Sequence, residues 1–169
     1  MPRQPLDPAL FSPDTRDLIT LLHKHHVRYL IVGGEAVIYY GHIRTTGDVD
    51  VFYDRADTNV QQLFAAVDEF WAGHIPNLDR WQELAEPGMI LQFGVPPNRI
   101  DLINDISGVK FGDAWPNRLT LTMPVGDSTV EVFLIGIDDL IKNKEASGRH
   151  QDLEDLKFLC RAHPPQKPR

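Results

Sequence analysis

The 169-residue chain holds a single cysteine, Cys160. One thiol cannot close an intramolecular disulfide, which excludes a stapled secreted scaffold and fits a reducing compartment. Cys160 is accordingly expected as a small core residue. Net positive charge is also lacking, since 24 acids against 17 Lys and Arg leave a charge of −7. Bulk electrostatics then cannot hold the protein to nucleic acid, and any RNA contact needs a local basic patch. No apolar run approaches the length of a membrane span, and the prolines of "MPRQPLDPALFSPD" interrupt the apolar core that a signal peptide needs. The expected location is the cytoplasm, with no membrane partner. Internal repeats, low-complexity linkers and heptads are absent as well. The chain is therefore expected to be one domain, 1–169, with a core at about 14–162 between a flexible leader and a frayed "HPPQKPR" end.

What is present suffices for a sizeable core, with 42% hydrophobic residues. "SPDTRDLITLLHKHH" opens on capping residues and then spaces Leu18, Ile19, Leu21 and Leu22 as one apolar helical face. "VRYLIV" predicts a short buried strand that Gly33-Gly34 ends, after which "EAVIYYG" turns once or twice as helix. "DVDVF" predicts a second strand by its alternation. Residues 57–71 place Val60, Leu63, Phe64, Val67, Phe70 and Trp71 at helical spacing. "MILQFG" and "RIDLI" predict a hairpin around "VPPN", and "RLTLTMPVGDSTVEVFLI" another around "VGDS". Helices near 136–146 and 150–162 close the chain, the second with Leu153, Leu156, Leu159 and Cys160 along one stripe. Phe111 and Trp115 in "GVKFGDAW" suit a core-anchoring helix or turn. The order predicts an α/β (α+β) fold: a mixed β-sheet flanked by helices, with a C-terminal helical pair.

The acids of "DVDVF" conflict with a buried strand. Successive side chains alternate faces, so Asp48 and Asp50 share one face and Val49 and Val51 the other. Such a pair repels itself unless it is exposed, bonded to donors or neutralised by a cation. A solvated edge strand and a metal site both meet that condition. Asp101, between Ile100 and Leu102 in "NRIDLIND", adds a third acid interrupting a strand-like run. Three carboxylates on two neighbouring strands suit a two-metal site, with ions roughly 3.5–4 Å apart. By contrast, His23, His25 and His26 of "HKHH" do not share one helical face, and they suit a solvated helix end.

At these residues "VGGEAVIYYGHIRTTGDVDVF" resembles the signature of the DNA polymerase beta-like nucleotidyltransferase superfamily: an apolar strand, Gly-Gly or Gly-Ser, a short helix, then Asp-hydrophobic-Asp. Asp101 fits the later third carboxylate of that signature. Within the superfamily, "GGEA", "RTTGDVD" and "LIKNKEASGRHQDLEDL" are similar to the compact branch that includes type IV abortive-infection toxin nucleotidyltransferases and small uncharacterised relatives. The match covers roughly residues 28–160 and is strongest at 33–52 and near 140–156.

The resemblance implies a nucleotidyltransferase fold and metal-dependent transfer of a nucleoside monophosphate from an NTP, ATP among the candidates. Gly33 and Gly34 would let the backbone approach the triphosphate, besides making a tight strand-to-helix turn. Asp48 and Asp50 would hold two Mg²⁺ (or Mn²⁺), one of them carrying the triphosphate. Asp101 would ligate the other and help deprotonate an acceptor hydroxyl that attacks the α-phosphate. Arg44, Thr45 and Thr46 stand before the acid strand, placed either to bond phosphate or to pair with the aspartates. Lys144 lies on the inward face of its helix with Leu140 and Ile141 and needs an anion, either the triphosphate or Asp152 or Asp155. Arg149 either pairs within its own helix or completes a phosphate clamp. Glu35 stands among these residues without an assigned role. The acceptor stays open between RNA (a tRNA end included), protein and small molecule, with an antitoxin as a candidate partner. The alternative is a catalytically silent NTP-binding or regulatory module, such as a toxin–antitoxin component.

Overall fold

A computed structural model describes residues 4–164. Residues 1–3 of the leader and 165–169 of the expected frayed end lie outside the described residues. In chain order the elements are β1 (Gln4–Pro5), α1 (Pro13–Lys24), β2 (Tyr29–Val32), α2 (Gly33–Tyr39), β3 (Asp48–Tyr53) and α3 (Asp57–Phe70). There follow β4 (Ile90–Phe93), β5 (Arg99–Ile103), α4 (Phe111–Ala114), β6 (Leu119–Val125), β7 (Ser128–Leu134), α5 (Ile137–Ser147) and α6 (His150–Ala162). The described strands form one mixed sheet in the order β1-β6-β7-β2-β3-β5-β4. The two expected hairpins are present as the antiparallel pairs β4–β5 and β6–β7, while β2 runs parallel to β7 and β3 parallel to β5.

Each local signal has a physical outcome. Ser12 caps α1, its hydroxyl accepting from the Thr15 N–H at 3.2 Å. Tyr29, Leu30, Ile31 and Val32 are all buried, as an unbroken apolar run in a central strand requires. On β3 and β5 alternation decides which side is apolar. Val49, Val51, Ile100 and Leu102 join one buried cluster with Leu18, Ile19 and Leu22 of α1 and Val60, Leu63 and Val67 of α3. Phe111 is buried with its ring edge-on to Phe52 at 5.2 Å and stacked on Trp115 at 5.5 Å, the core-anchoring role expected of it. His25 Nε2 and Lys24 Nζ close on the Glu69 carboxylate of α3 at 2.7 and 2.6 Å, so this helix end is tied to α3.

In the described part of the leader Gln4–Pro5 pairs in parallel with β6, and Leu6 and Phe11 are buried. Two residues are too few for an alternation signal, and an edge strand tolerates Pro5 as its second residue. Cys160 is exposed rather than in the core, and Leu153 is 47% exposed. The inward face of α6 is Asp152, Asp155 and Leu159, at positions i, i+3 and i+7. Ion pairs to Lys144 turn that acidic face inward and rotate the Leu153–Leu156–Cys160 stripe away from the core.

Candidate active site

The parallel β3–β5 pairing sets Asp50 beside Asp101 and Asp48 beside Arg99, with Gln92 of β4 next in the row beyond Asp101. Each strand alone would place its acids on a face. The register brings them to one place, where Asp48, Asp50 and Asp101 each offer a carboxylate oxygen within 4.8 Å of the others. Among the described residues this is the one His, Cys, Asp or Glu cluster with metal-ligand geometry, and the HKHH histidines form none. The site lies on the face of β3 opposite Val49 and Val51, as the alternation required.

Electrostatics set the three acids apart. Asp50 is pushed up to about 7, first by burial and then by the charges of Asp48 and Asp101, against the opposing pull of Lys144 and Arg149. Asp101 is raised by burial, with Arg99 pulling the other way. Arg99 was not singled out in the sequence, yet its guanidinium bridges two of the acids. Nη2 donates to Asp48 Oδ2 at 2.8 Å and to Asp101 Oδ2 at 3.0 Å, and Nε donates to Asp101 Oδ1 at 2.9 Å. Gln92 Nε2 adds a donor to Asp101 Oδ2 at 3.3 Å. The signal for Arg99 was available: it precedes Asp101 by two residues and so shares its face. Hard carboxylate oxygens at this spacing, with Asp50 raised to about 7 by burial and then by the charges of Asp48 and Asp101, fit a divalent cation such as Mg²⁺ that would relieve the repulsion.

The glycines sit against this cluster. Gly33 has φ +66°, and a Cβ there would overlap Asp50 Oδ2. At Gly34 a Cβ would come within 2.6 Å of Thr46 Oγ1. The Thr46 hydroxyl donates to the Asp48 carbonyl at 3.1 Å and lies 3.4 Å from its carboxylate, so Thr46 holds the start of β3. Gly33→Ala is expected to lower the melting temperature and to lose most activity. A left-handed alanine costs about 1–2 kcal/mol, and the methyl group would displace Asp50. Thermal unfolding together with a transfer assay checks this, and a Gly33→Ala protein as stable as the parent would refute the packing argument.

The expected phosphate-binding cations are not all brought to the acids. Lys144 is buried, with Nζ 2.9 Å from Asp152 and 3.0 Å from Asp155. Arg44 turns away from the triad and grips Asp155 with Nε at 2.8 Å and Nη2 at 2.9 Å. Arg149 donates through Nε to Asp152 at 2.8 Å, but most of its side chain stays exposed. Burial raises both aspartates, yet it is outweighed by Arg149, Lys144 and Ser147 at Asp152 and by Arg44 and Lys144 at Asp155, and both end below the ordinary carboxylate range. A cleft of about 430 Å³ nevertheless runs from Val32, Gly33 and Asp50 to Lys144, Ser147 and Arg149. Gly33, Asp50, Lys144 and Arg149 thus share one wall-lined space, whereas Arg44 lines a separate cleft against α6.

Glu35 is buried in the first turn of α2, and its Oε2 has no hydrogen-bond partner among the described residues. Burial first, and the Asp48 charge after it, raise this carboxyl to about 7 against the pull of Arg44. No helix of the described residues is long and apolar enough to cross a membrane.

A family model described as "Nucleotidyltransferase of unknown function (DUF6036)" matches residues 14–158, a span that contains the triad, both glycines and the α5–α6 network. Comparison with the curated proteins gave no match.

Proposed function

Because the chain belongs to this nucleotidyltransferase family of unknown function, we propose that it transfers a nucleoside monophosphate from an NTP to an acceptor hydroxyl, with Mg²⁺ or Mn²⁺ as cofactor. The observation that carries the reading is the convergence of the Asp48, Asp50 and Asp101 carboxylates within 4.8 Å of one another, with Asp50 opening onto the cleft. Bound divalent cations supply charge neutralisation of the triphosphate and acidify the attacking hydroxyl. Gly33 leaves the backbone bare beside Asp50, so a phosphate can approach it without meeting a side chain. Lys144 and Arg149 line the far side of the cleft and add positive potential there. Asp101, whose carboxyl is raised by burial against the pull of Arg99, accepts the acceptor's proton. The acceptor oxygen bonds to the α-phosphorus, the bond to the β-phosphate oxygen breaks, and pyrophosphate leaves with that electron pair. The protein's share is placement and charge.

The acceptor class spans RNA, including a tRNA end, protein and small molecules, with an antitoxin as a candidate partner and the cytoplasm as the setting. A second reading, an NTP-binding module without turnover within a toxin–antitoxin pair, draws on the α5–α6 network. Lys144, Arg44 and Arg149 all have aspartate partners in place of a phosphate. The test supplies each of the four α-labelled NTPs with Mg²⁺, cellular RNA and small-molecule extracts. Label is expected to move to one acceptor class with the parent protein and not with Asp101→Asn, which should still bind NTP. Full transfer by Asp101→Asn would sink the catalytic assignment. NTP-induced thermal stabilisation without label transfer would select the silent module.

A further inference from the structure

The proposed transfer uses the three acids and leaves Arg99 without a task. Its guanidinium covers both oxygens of Asp101 and one of Asp48, whereas the Asp50 carboxylate accepts no hydrogen bond among the described residues. The triad is thus neutralised on one side and bare on the other. Arg99 is the fork-shaped donor suited to carboxylates, held by three charge-assisted bonds. The oxygens it grips are those a cation would need. A guanidinium and a divalent ion repel each other and compete for the same lone pairs, so they cannot share Asp48 Oδ2 and both Asp101 oxygens. Arg99 also has somewhere to go, because about a third of its side chain (32%) faces solvent.

Resting on the reading of the triad as a metal site, we infer that Arg99 is a displaceable counter-ion: the Asp48 and Asp101 oxygens that it grips are ones a divalent cation would need, and it yields them when the cation enters. The affinity for metal is then set by competition with this guanidinium. Once released, Arg99 is a free cation next to the site, able to donate to an anionic oxygen that arrives with the metal.

The test is Mn²⁺ binding to the metal-free full chain without nucleotide, read by titration calorimetry or by the loss of the free Mn²⁺ resonance signal. Arg99→Gln is expected to bind Mn²⁺ at least tenfold more tightly than the parent. Arg99→Lys keeps the charge but cannot span three oxygens, so it should fall between the two. It also guards against misfolding of the Gln variant. Equal affinity of parent and Arg99→Gln, with binding still abolished by Asp50→Asn, would overturn the displacement and leave the metal site standing. Arg99→Lys matching the parent while Arg99→Gln tightens would reduce Arg99 to a remote charge and equally overturn it. If none of these proteins binds Mn²⁺, the metal reading of the triad falls and takes the inference with it.

Discussion

Asp50→Asn is expected to abolish transfer and, at the same time, to make the metal-free protein more stable above pH 7. The two effects share one cause. Asp50 is pushed up to about 7 by burial, then by Asp48 and Asp101, while in the unfolded chain it titrates near the ordinary aspartate value of about 3.9. Between those values the folded state holds a proton that the unfolded state has released. Its contribution to stability is therefore fully present below about pH 4 and is lost as pH rises through about 7. At pH 8 the folded protein carries a repelled charge, costing on the order of 2–4 kcal/mol. Asparagine removes that charge, and for a chain of this size the melting temperature in EDTA should rise by roughly 5–10 °C. Adding Mg²⁺ or Mn²⁺ should reverse the order, since the parent gains a ligand that the variant has lost. Melting curves at pH 5 and pH 8, with and without metal, check the first part. A variant less stable than the parent at pH 8 in EDTA would mean that Asp50 is a structural acid.

That tension was legible in the sequence because alternation is a local property. "DVDVF" alone says that Asp48 and Asp50 share a face, and Asp101 repeats the pattern on β5. The register of two parallel strands about fifty residues apart is not local, and it alone puts Arg99 opposite Asp48. Arg99 therefore went unread although its own alternation with Asp101 was in plain view. Helix positions were equally readable, since capping and apolar spacing act within a few turns. Helix rotation was not: α6 has an apolar stripe and an acidic one, and the choice between them rests on Lys144, which lies on another helix. The same holds for Glu35. Its burial follows from what surrounds α2, which neither its neighbours in sequence nor its own chemistry disclose.

Lys144→Met is expected to destabilise the protein more than any single surface change, because it leaves Asp152 and Asp155 buried with one cation fewer. Both carboxylates are almost fully buried, and Lys144 lies within 3.0 Å of each. Breaking such a pair from one side costs about 3–5 kcal/mol, which for this chain length means a fall in melting temperature of roughly 6–20 °C. The pH dependence has a definite sign. Asp152 and Asp155 lie below the ordinary range when folded, so their contribution is present above about pH 4 and is lost as pH falls towards their folded values. The gap between parent and variant should thus be widest near neutrality and narrow in acid. Adding Asp155→Asn to Lys144→Met should recover part of the loss, a coupling that a double-mutant cycle measures directly. The same variant separates the two roles the cleft leaves to Lys144. Losing a fold-holding lysine lowers the melting temperature without nucleotide, whereas losing a phosphate-holding one leaves it unchanged and weakens NTP binding. The two short ion pairs predict the first result, and an unchanged melting temperature would mean that the ammonium leaves the aspartates for the nucleotide.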